Sequence, residues 1–407
     1  MLDHLLQTVS FETFLSELNR YAGHYVIIYC SGNDLFLFND MCGQYEIYYD
    51  TTYSAFGSQP KLIGEFTELI PHTEQNAVEF FTSAKFIARK KLIGTSTHFF
   101  NIKHLLPNHY IDIRSKTVRR FFPSVPLVSC SISEVVPKIC RMLSGYIKSA
   151  SLRKKIAMAV TAGYDSRILF FSVPDDVECK YYVGRHRNRP VHHHDLVVPL
   201  NLTHMCNKSF EIIPLVNLYD DFSHSVDFPT TIYNLGKSYD NHIFLSGGLS
   251  EIARCFYGNW DKLSPEDLAF ISGYKNFRFV INEYKHWLKD AGIFCACNYN
   301  AGDMYYWEQR MGIMAGRHDT SSKACGVHTF SPYSSRELMM TLLSVPRKYR
   351  KKNMNKLYHS ILLHLSPKAL SLPFNPSRKE NMIRLMMHCK IYDLYRYLGL
   401  KFRFLKF

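Results

Sequence analysis

Two apolar runs within residues 23–38 (GHYVIIYCSGNDLFLF) flank the quartet Ser31-Gly32-Asn33-Asp34. Apolar strand patterns on either side of such turn formers predict a β-hairpin. Residues 45–49 (YEIYY) predict another aromatic-rich strand, and 98–122 returns to a strand pattern punctuated by Leu106-Pro107-Asn108. Between them, residues 76–90 predict a helix with Val78, Phe81, Phe86 and Ile87 near one face. The first 125 residues read as mostly β, and Pro123 and Pro126 mark a linker.

Beyond the linker the period changes. Residues 133–150 predict a helix, with Ser133 as N-cap and Val136, Ile139, Cys140, Leu143 and Ile147 at helical spacing. An uncharged run, Ile156 to Val160, then predicts a strand, and Ile168 to Phe171 opens a helix. Further strands are expected at 180–183, 209–214 and 243–245. Strands alternating with helices imply an α/β fold with a buried parallel sheet. From about residue 262 onward the pattern is helical, ending in a basic Leu/Tyr/Phe-rich stretch at 380–407.

The 407 residues suffice for two or three domains, and 46% hydrophobic with 21% charged residues predicts packed cores. Net charge is +14, concentrated in 346–356 and 377–407, which favours anionic partners and makes the C-terminal region the expected contact face. A solvated basic face is the equal rival. The tail, 378–407, reads as an amphipathic helix closing the core, with docking on a partner or an anionic membrane as the alternative. The 11 cysteines show no metal-site spacing, since Cys295 and Cys297 are one residue too close. No secretory leader pattern and no 18-residue apolar run is seen, so the expectation is a cytoplasmic chain with free thiols and no transmembrane segment.

Two turns carry chemistry. Thr161-Ala162-Gly163-Tyr164-Asp165-Ser166-Arg167 lies between a predicted strand and helix. Small residues there let backbone N–H groups approach phosphate oxygens, and the helix N-terminus adds its positive dipole end. Asp165 would serve by holding Mg²⁺ on the phosphates. The second turn, Leu245 to Arg254, again follows an apolar strand; Ser246, Gly247 and Gly248 permit close approach, and Glu251 is a candidate second magnesium ligand. Each could alone be an ordinary tight turn.

Together the turns resemble those of the asparagine synthetase family, within the ATP pyrophosphatase (PP-loop) folds. Thr161-Ala162-Gly163-Tyr164-Asp165-Ser166 matches that family's Ser-Gly-Gly-x-Asp-Ser loop, and Ser246 to Glu251 falls on its Ser-Gly-Glu-Gly-x-Asp loop. Asp195, after His192-His193-His194, sits where the family places an acidic residue opening the next helix. Upstream, Asp40-Met41-Cys42-Gly43 and Leu106-Pro107-Asn108-His109 resemble parts of an Ntn-type glutaminase domain. Downstream, Phe330 to Arg336 resembles an Arg-x-Pro-Phe-x-Asp segment, and Asn355-Lys356-Leu357-Tyr358 the stretch with the family lysine.

The resemblance implies a degenerate glutaminase-like α+β domain over residues 1–125 and an ATP-binding synthetase domain over 126–407 with a helical C-terminal part. Leu2 stands where the glutaminase nucleophile, a Cys, is required, so glutamine hydrolysis is not expected; β-lactam synthetase and lasso-peptide cyclases share that loss. Gly248 replaces a glutamate of the family's second loop. The implied activity is an AMP-forming amide ligase using ATP and Mg²⁺. Its partners would be a small-molecule or peptide carboxylate and an amine donor; nucleic acid is not expected, and a homodimer is compatible. Thr161, Ala162, Gly163, Asp165, Ser166, Ser246 and Gly247 would hold the nucleotide, Asp165 and Glu251 the metal, and Lys356 and Glu251 the catalytic roles. Arg254 and Arg310 are weaker candidates for phosphate or an acidic substrate. The rivals are a PP-loop RNA-modifying enzyme and a non-catalytic binding protein. His192 to His194 read as a polar loop rather than a metal cluster, and Trp307, Met311 and Met314 as core.

Overall fold

The computed structural model describes residues 2–186, 189–215, 236, 238–257, 263–351 and 355–402. Arg187 and Asn188, Lys352 to Met354 of the basic segment 346–356, and residues 403–407 of the tail lie outside the described residues. The chain forms two units, each from three stretches: Met1–Gly23, Ser129–Arg254 and Asp319–Leu385 in one, His24–Val128, Cys255–His318 and Met386–Phe407 in the other. Residues 255–318 share a unit with the β-rich stretch 24–128. The molecule is a mixed α/β structure with two antiparallel sheets, one parallel sheet and many helices.

In the second unit the predicted hairpin forms. β1 (Val26–Ser31) pairs antiparallel with β2 (Asp34–Asn39), and the Ser31↔Asp34 register leaves Gly32, at φ +56°, in the two-residue turn. With β3 (Tyr48–Asp50), β4 (Phe56–Gly57), β5 (Ile102–His104), β6 (His109–Asp112) and β7 (Thr117–Arg120), the strands make sheets of order β1-β2-β6-β7 and β4-β3-β5. Leu37, Ile47, Tyr49, Leu105 and Ile111 form a core between them. The single helix expected over 76–90 is two, Gln75–Thr82 and Ala84–Arg89, divided at Ser83, whose extended backbone and side chain cap the second. Their buried positions are Ala77, Phe80 and Phe86, whereas Val78 and Ile87 face solvent.

Buried Glu308 ties this unit together. It accepts from Arg120 at 2.5 and 3.0 Å, Asn108 at 3.0 Å and Trp287 at 2.8 Å. Burial pushes its carboxyl up, but the Arg120 guanidinium outweighs this and holds it below its ordinary value. Trp307 is buried as expected, its indole donating to the Met41 carbonyl at 2.7 Å, in a π-helical turn rather than a regular helix.

In the first unit the helix Ile132–Ser151 buries Val136, Ile139, Cys140, Leu143 and Ile147. Its cap is Ser131, not Ser133, because Ser131 and Glu134 exchange bonds in a capping box. β8 (Lys155–Ala159), β9 (Cys179–His186), β10 (Phe210–Leu215) and β11 (His242–Leu245) realise the four expected strands. A fifth, β12 (His328–Phe330), interrupts the region expected to be all helical. All four pairings are parallel, in the order β10-β9-β8-β11-β12. Strand order therefore reverses between β8 and β11. In an open parallel sheet, the crevice outside the carboxyl ends of the strands at such a reversal is where ligands bind.

Candidate functional site

Both sequence-predicted turns leave this switch point. β8 and β11 are neighbours with Met158 opposite Leu245, so 161–166 and 246–251 emerge from the same sheet edge. A Cβ added to Gly247 would stand 3.0 Å from Asp165 Cβ and 3.2 Å from its carbonyl carbon. A side chain at position 247 would crowd Asp165 at this passage, which glycine leaves clear.

Asp165, in the first turn of the Tyr164–Ser172 helix, is where the turns meet. Its Oδ1 accepts from the Ser250 hydroxyl at 2.5 Å and its Oδ2 from Arg254 Nη1 at 2.8 Å. The same Arg254 nitrogen is 3.8 Å from Glu251 Oε1. Burial pushes the Asp165 carboxyl above its ordinary value, although Arg254 and the Ser250 hydroxyl pull it down. Two carboxylates thus address one cation. Behind them the Tyr358 hydroxyl donates to the Ser250 carbonyl at 2.6 Å, joining the Lys356–Leu365 helix to the second turn. The buried Tyr333 hydroxyl has no hydrogen-bond partner, and it lies close enough to Tyr358, Asp165 and Arg254 to feel their charges.

The first turn's donors already have acceptors. Thr161 N–H donates to Ser166 Oγ at 3.1 Å, Ala162 N–H to Asp195 Oδ1 at 3.3 Å and Gly163 N–H to Thr161 Oγ1 at 3.3 Å. The last two are long. Gly163 is the N-cap of the Tyr164–Ser172 helix and provides no side-chain cap. The segment Ala369 to Asn375 lies against this turn. Asn375 N–H donates to the Ala162 carbonyl at 3.1 Å, and Phe374 stacks on Tyr164 at 4.0 Å. Wholly buried Arg167 holds that segment by bonds to the Ala369, Leu372 and Pro373 carbonyls at 3.0, 2.7 and 2.9 Å. Burial lowers its guanidinium to about 10.

The predicted residues thus divide. Thr161, Ala162, Gly163, Asp165, Ser166, Ser246, Gly247 and Glu251 gather at one sheet edge. Ser246 Oγ accepts from the Gly248 N–H at 3.4 Å. Glu251 lies in a 3₁₀ turn, Gly248–Ala253. Lys356 is exposed at the start of its helix, its Nζ 5.9 Å from the Tyr349 ring centroid. Arg254 is central. Arg310 belongs to the other unit, where it donates to the Tyr257 hydroxyl at 3.3 Å and packs on Phe256 and Tyr306. Sequence reading gave no site role to Ser250, Tyr358, Tyr333 or Arg167. All four lie within stretches that the sequence singles out, but no local pattern assigns a role to Ser250, Tyr358 or Arg167, whose partners are remote in sequence.

His192 lies in a turn and His193 just outside the His194–Met205 helix, which His193 caps through Nδ1, accepting from Asp195 N–H at 3.2 Å. Among the described residues, the ligand atoms of His193, His194 and Asp195 lie within 4.8 Å of one another. The two rings stack with their centroids 4.2 Å apart.

No family model and no curated protein matches this chain. Among solved structures, NMN synthetase from Francisella tularensis is similar at 14% identity and a TM-score of 0.23, over 61% of this chain and 100% of that one.

Proposed function

We propose that this chain is an ATP-dependent, AMP-forming amide ligase. Such an enzyme brings a carboxylate onto the α-phosphorus of ATP, expels pyrophosphate and passes the acyl group to an amine. The observation that supports this reading most is the meeting of two Gly-containing turns on Asp165 at the switch point of a parallel sheet. The likeness of both turns to asparagine synthetase loops points the same way.

In this reading, the pyrophosphate exchanges the long bonds at Ala162 and Gly163 for bonds to its own oxygens. The open N-terminus of the Tyr164–Ser172 helix stabilises its charge. Asp165 and Glu251 fit magnesium by donor chemistry, since both are carboxylates directed at one cation, the Arg254 guanidinium. Magnesium would neutralise the phosphates there. Arg254 supplies a fixed positive charge between the two acids, and Lys356 would reach the leaving pyrophosphate and the acyl oxygen. The acyl substrate is a small-molecule or peptide carboxylate and the acceptor an amine. Residues 1–125 would be a glutaminase-like domain that does not hydrolyse glutamine, given Leu2.

A second reading, a nucleotide-binding protein without catalysis, is favoured by the protein acceptors that already fill the first turn's donors. ATP–pyrophosphate exchange over a panel of carboxylic acids separates the two. Exchange with at least one acid is expected, falling at least about a hundredfold in Asp165→Asn and in Lys356→Ala. Nucleotide binding with no exchange for any acid would leave the second reading standing. Full exchange in Asp165→Asn would remove Asp165 from the metal site.

A further inference from the structure

The Tyr392–Lys401 helix is fixed to its unit along one side. Arg396 Nη2 donates to the Phe256 carbonyl at 3.3 Å, Gly399 is buried and Leu400 is 6% exposed. At about 100° per residue, Ile391, Leu394, Tyr395, Leu398 and Phe402 share the opposite face. They are 49, 56, 41, 37 and 65% exposed. Sequence reading expected this helix to close the core, yet its longest apolar stripe meets solvent. Single exposed apolar residues are ordinary, but a contiguous stripe marks an interaction surface.

The flanks of the stripe indicate what covers it. Lys390 and Lys401 are both exposed, and Lys401 Nζ lies 5.9 Å from the Phe402 ring centroid. The helix's one acidic residue, Asp393, falls off the stripe. An apolar face with aromatic residues and bordering lysines is the composition of a helix lying in a lipid interface. Lysine stems can snorkel to anionic headgroups while Tyr and Phe sit at headgroup depth. The chain's net charge of +14 adds attraction to the same surface. No described helix is long and apolar enough to cross a membrane, so attachment through this helix would be peripheral.

We propose that the exposed face of the Tyr392–Lys401 helix, bordered by Lys390 and Lys401, docks this chain onto an anionic lipid surface. The test is co-sedimentation of the full chain with phosphatidylcholine vesicles, alone or containing about one-third phosphatidylserine. Binding is expected to the anionic vesicles only, and to weaken as salt is raised. The double variant Lys390→Ala/Lys401→Ala should bind roughly thirtyfold more weakly. Leu394→Asp/Leu398→Asp should lose binding while keeping the parent melting temperature, because both side chains are exposed. Val125→Asp, at a 56% exposed apolar site outside the helix, should bind as the parent does. The proposal fails if neither vesicle is bound, if neutral vesicles are bound equally, or if the Asp double variant still binds. It also fails if vesicles are not bound and the Asp double variant instead abolishes self-association or capture of a protein partner.

Discussion

His104 has no exposed surface, and neither ring nitrogen has a hydrogen-bond partner; Glu46 Oε1 is 3.9 Å away and the Tyr48 ring lies alongside. Burial disfavours the charged imidazolium and pushes the ring down to about 4. In the unfolded chain the same ring titrates near the ordinary 6.5. Between those values the unfolded state binds the proton and the folded state does not. The stability tied to His104 is therefore present above the unfolded value and lost as pH falls toward 4. The loss should reach about 2 kcal/mol at pH 5 relative to pH 7, read from urea unfolding at the two pH values. His104→Phe should flatten that difference; an equally steep loss in the variant would mean other groups cause it. Nothing around His104 in the sequence announces this behaviour. Asp165 contrasts with it: a lone acid beside a glycine at a strand-to-helix turn was conspicuous, while its partners Ser250 and Arg254 became apparent only across the turn.

At the scale of elements, the close passage of 246–251 over 161–166 is the feature that can be disturbed most locally. Gly247→Ala puts a methyl 3.0 Å from Asp165 Cβ and 3.2 Å from backbone, which cannot swing aside. Forcing the turns apart should cost about 1–3 kcal/mol of stability, measured by denaturant unfolding, and should lower pyrophosphate exchange further than the stability loss explains. A neutral substitution would mean the turns are not in register as described. Gly248→Ala is the control, since its nearest neighbour is Ser246 Oγ at 3.6 Å. Elements with strong local signals were legible: the Gly32 hairpin, the amphipathic 132–151 helix and the four apolar strands of the parallel sheet. Others were not. β12 has three residues, too few for periodicity, and exists because β11 offers it a parallel edge. The break at Ser83 was hidden because no Gly or Pro marks it in the sequence, and burial of Phe80 and Phe86 sets where each helix points.

Across the whole molecule, the units are assembled from stretches far apart in sequence. Arg120 needs Glu308 and Asp290, and the Met41 carbonyl needs Trp307. Residues 24–128 expressed alone should therefore lack a cooperative thermal transition, because Arg120 and the strand core lose partners supplied by 255–318. Adding 255–318 through a linker should restore one; a cooperative transition in the short fragment would show that the β-rich stretch is independent.

Local patterning alone determined the alternation of strands and helices after residue 155, the β-rich beginning and the two glycine turns, because periodicity and turn chemistry act over a few residues. Strand order, and with it the reversal between β8 and β11 that sets Asp165 against Ser250 and Arg254, was decided by tertiary structure. So was the solvent exposure of the Tyr392–Lys401 stripe. Both depend on which surfaces meet after the chain has closed long loops, and no spacing within one segment encodes that.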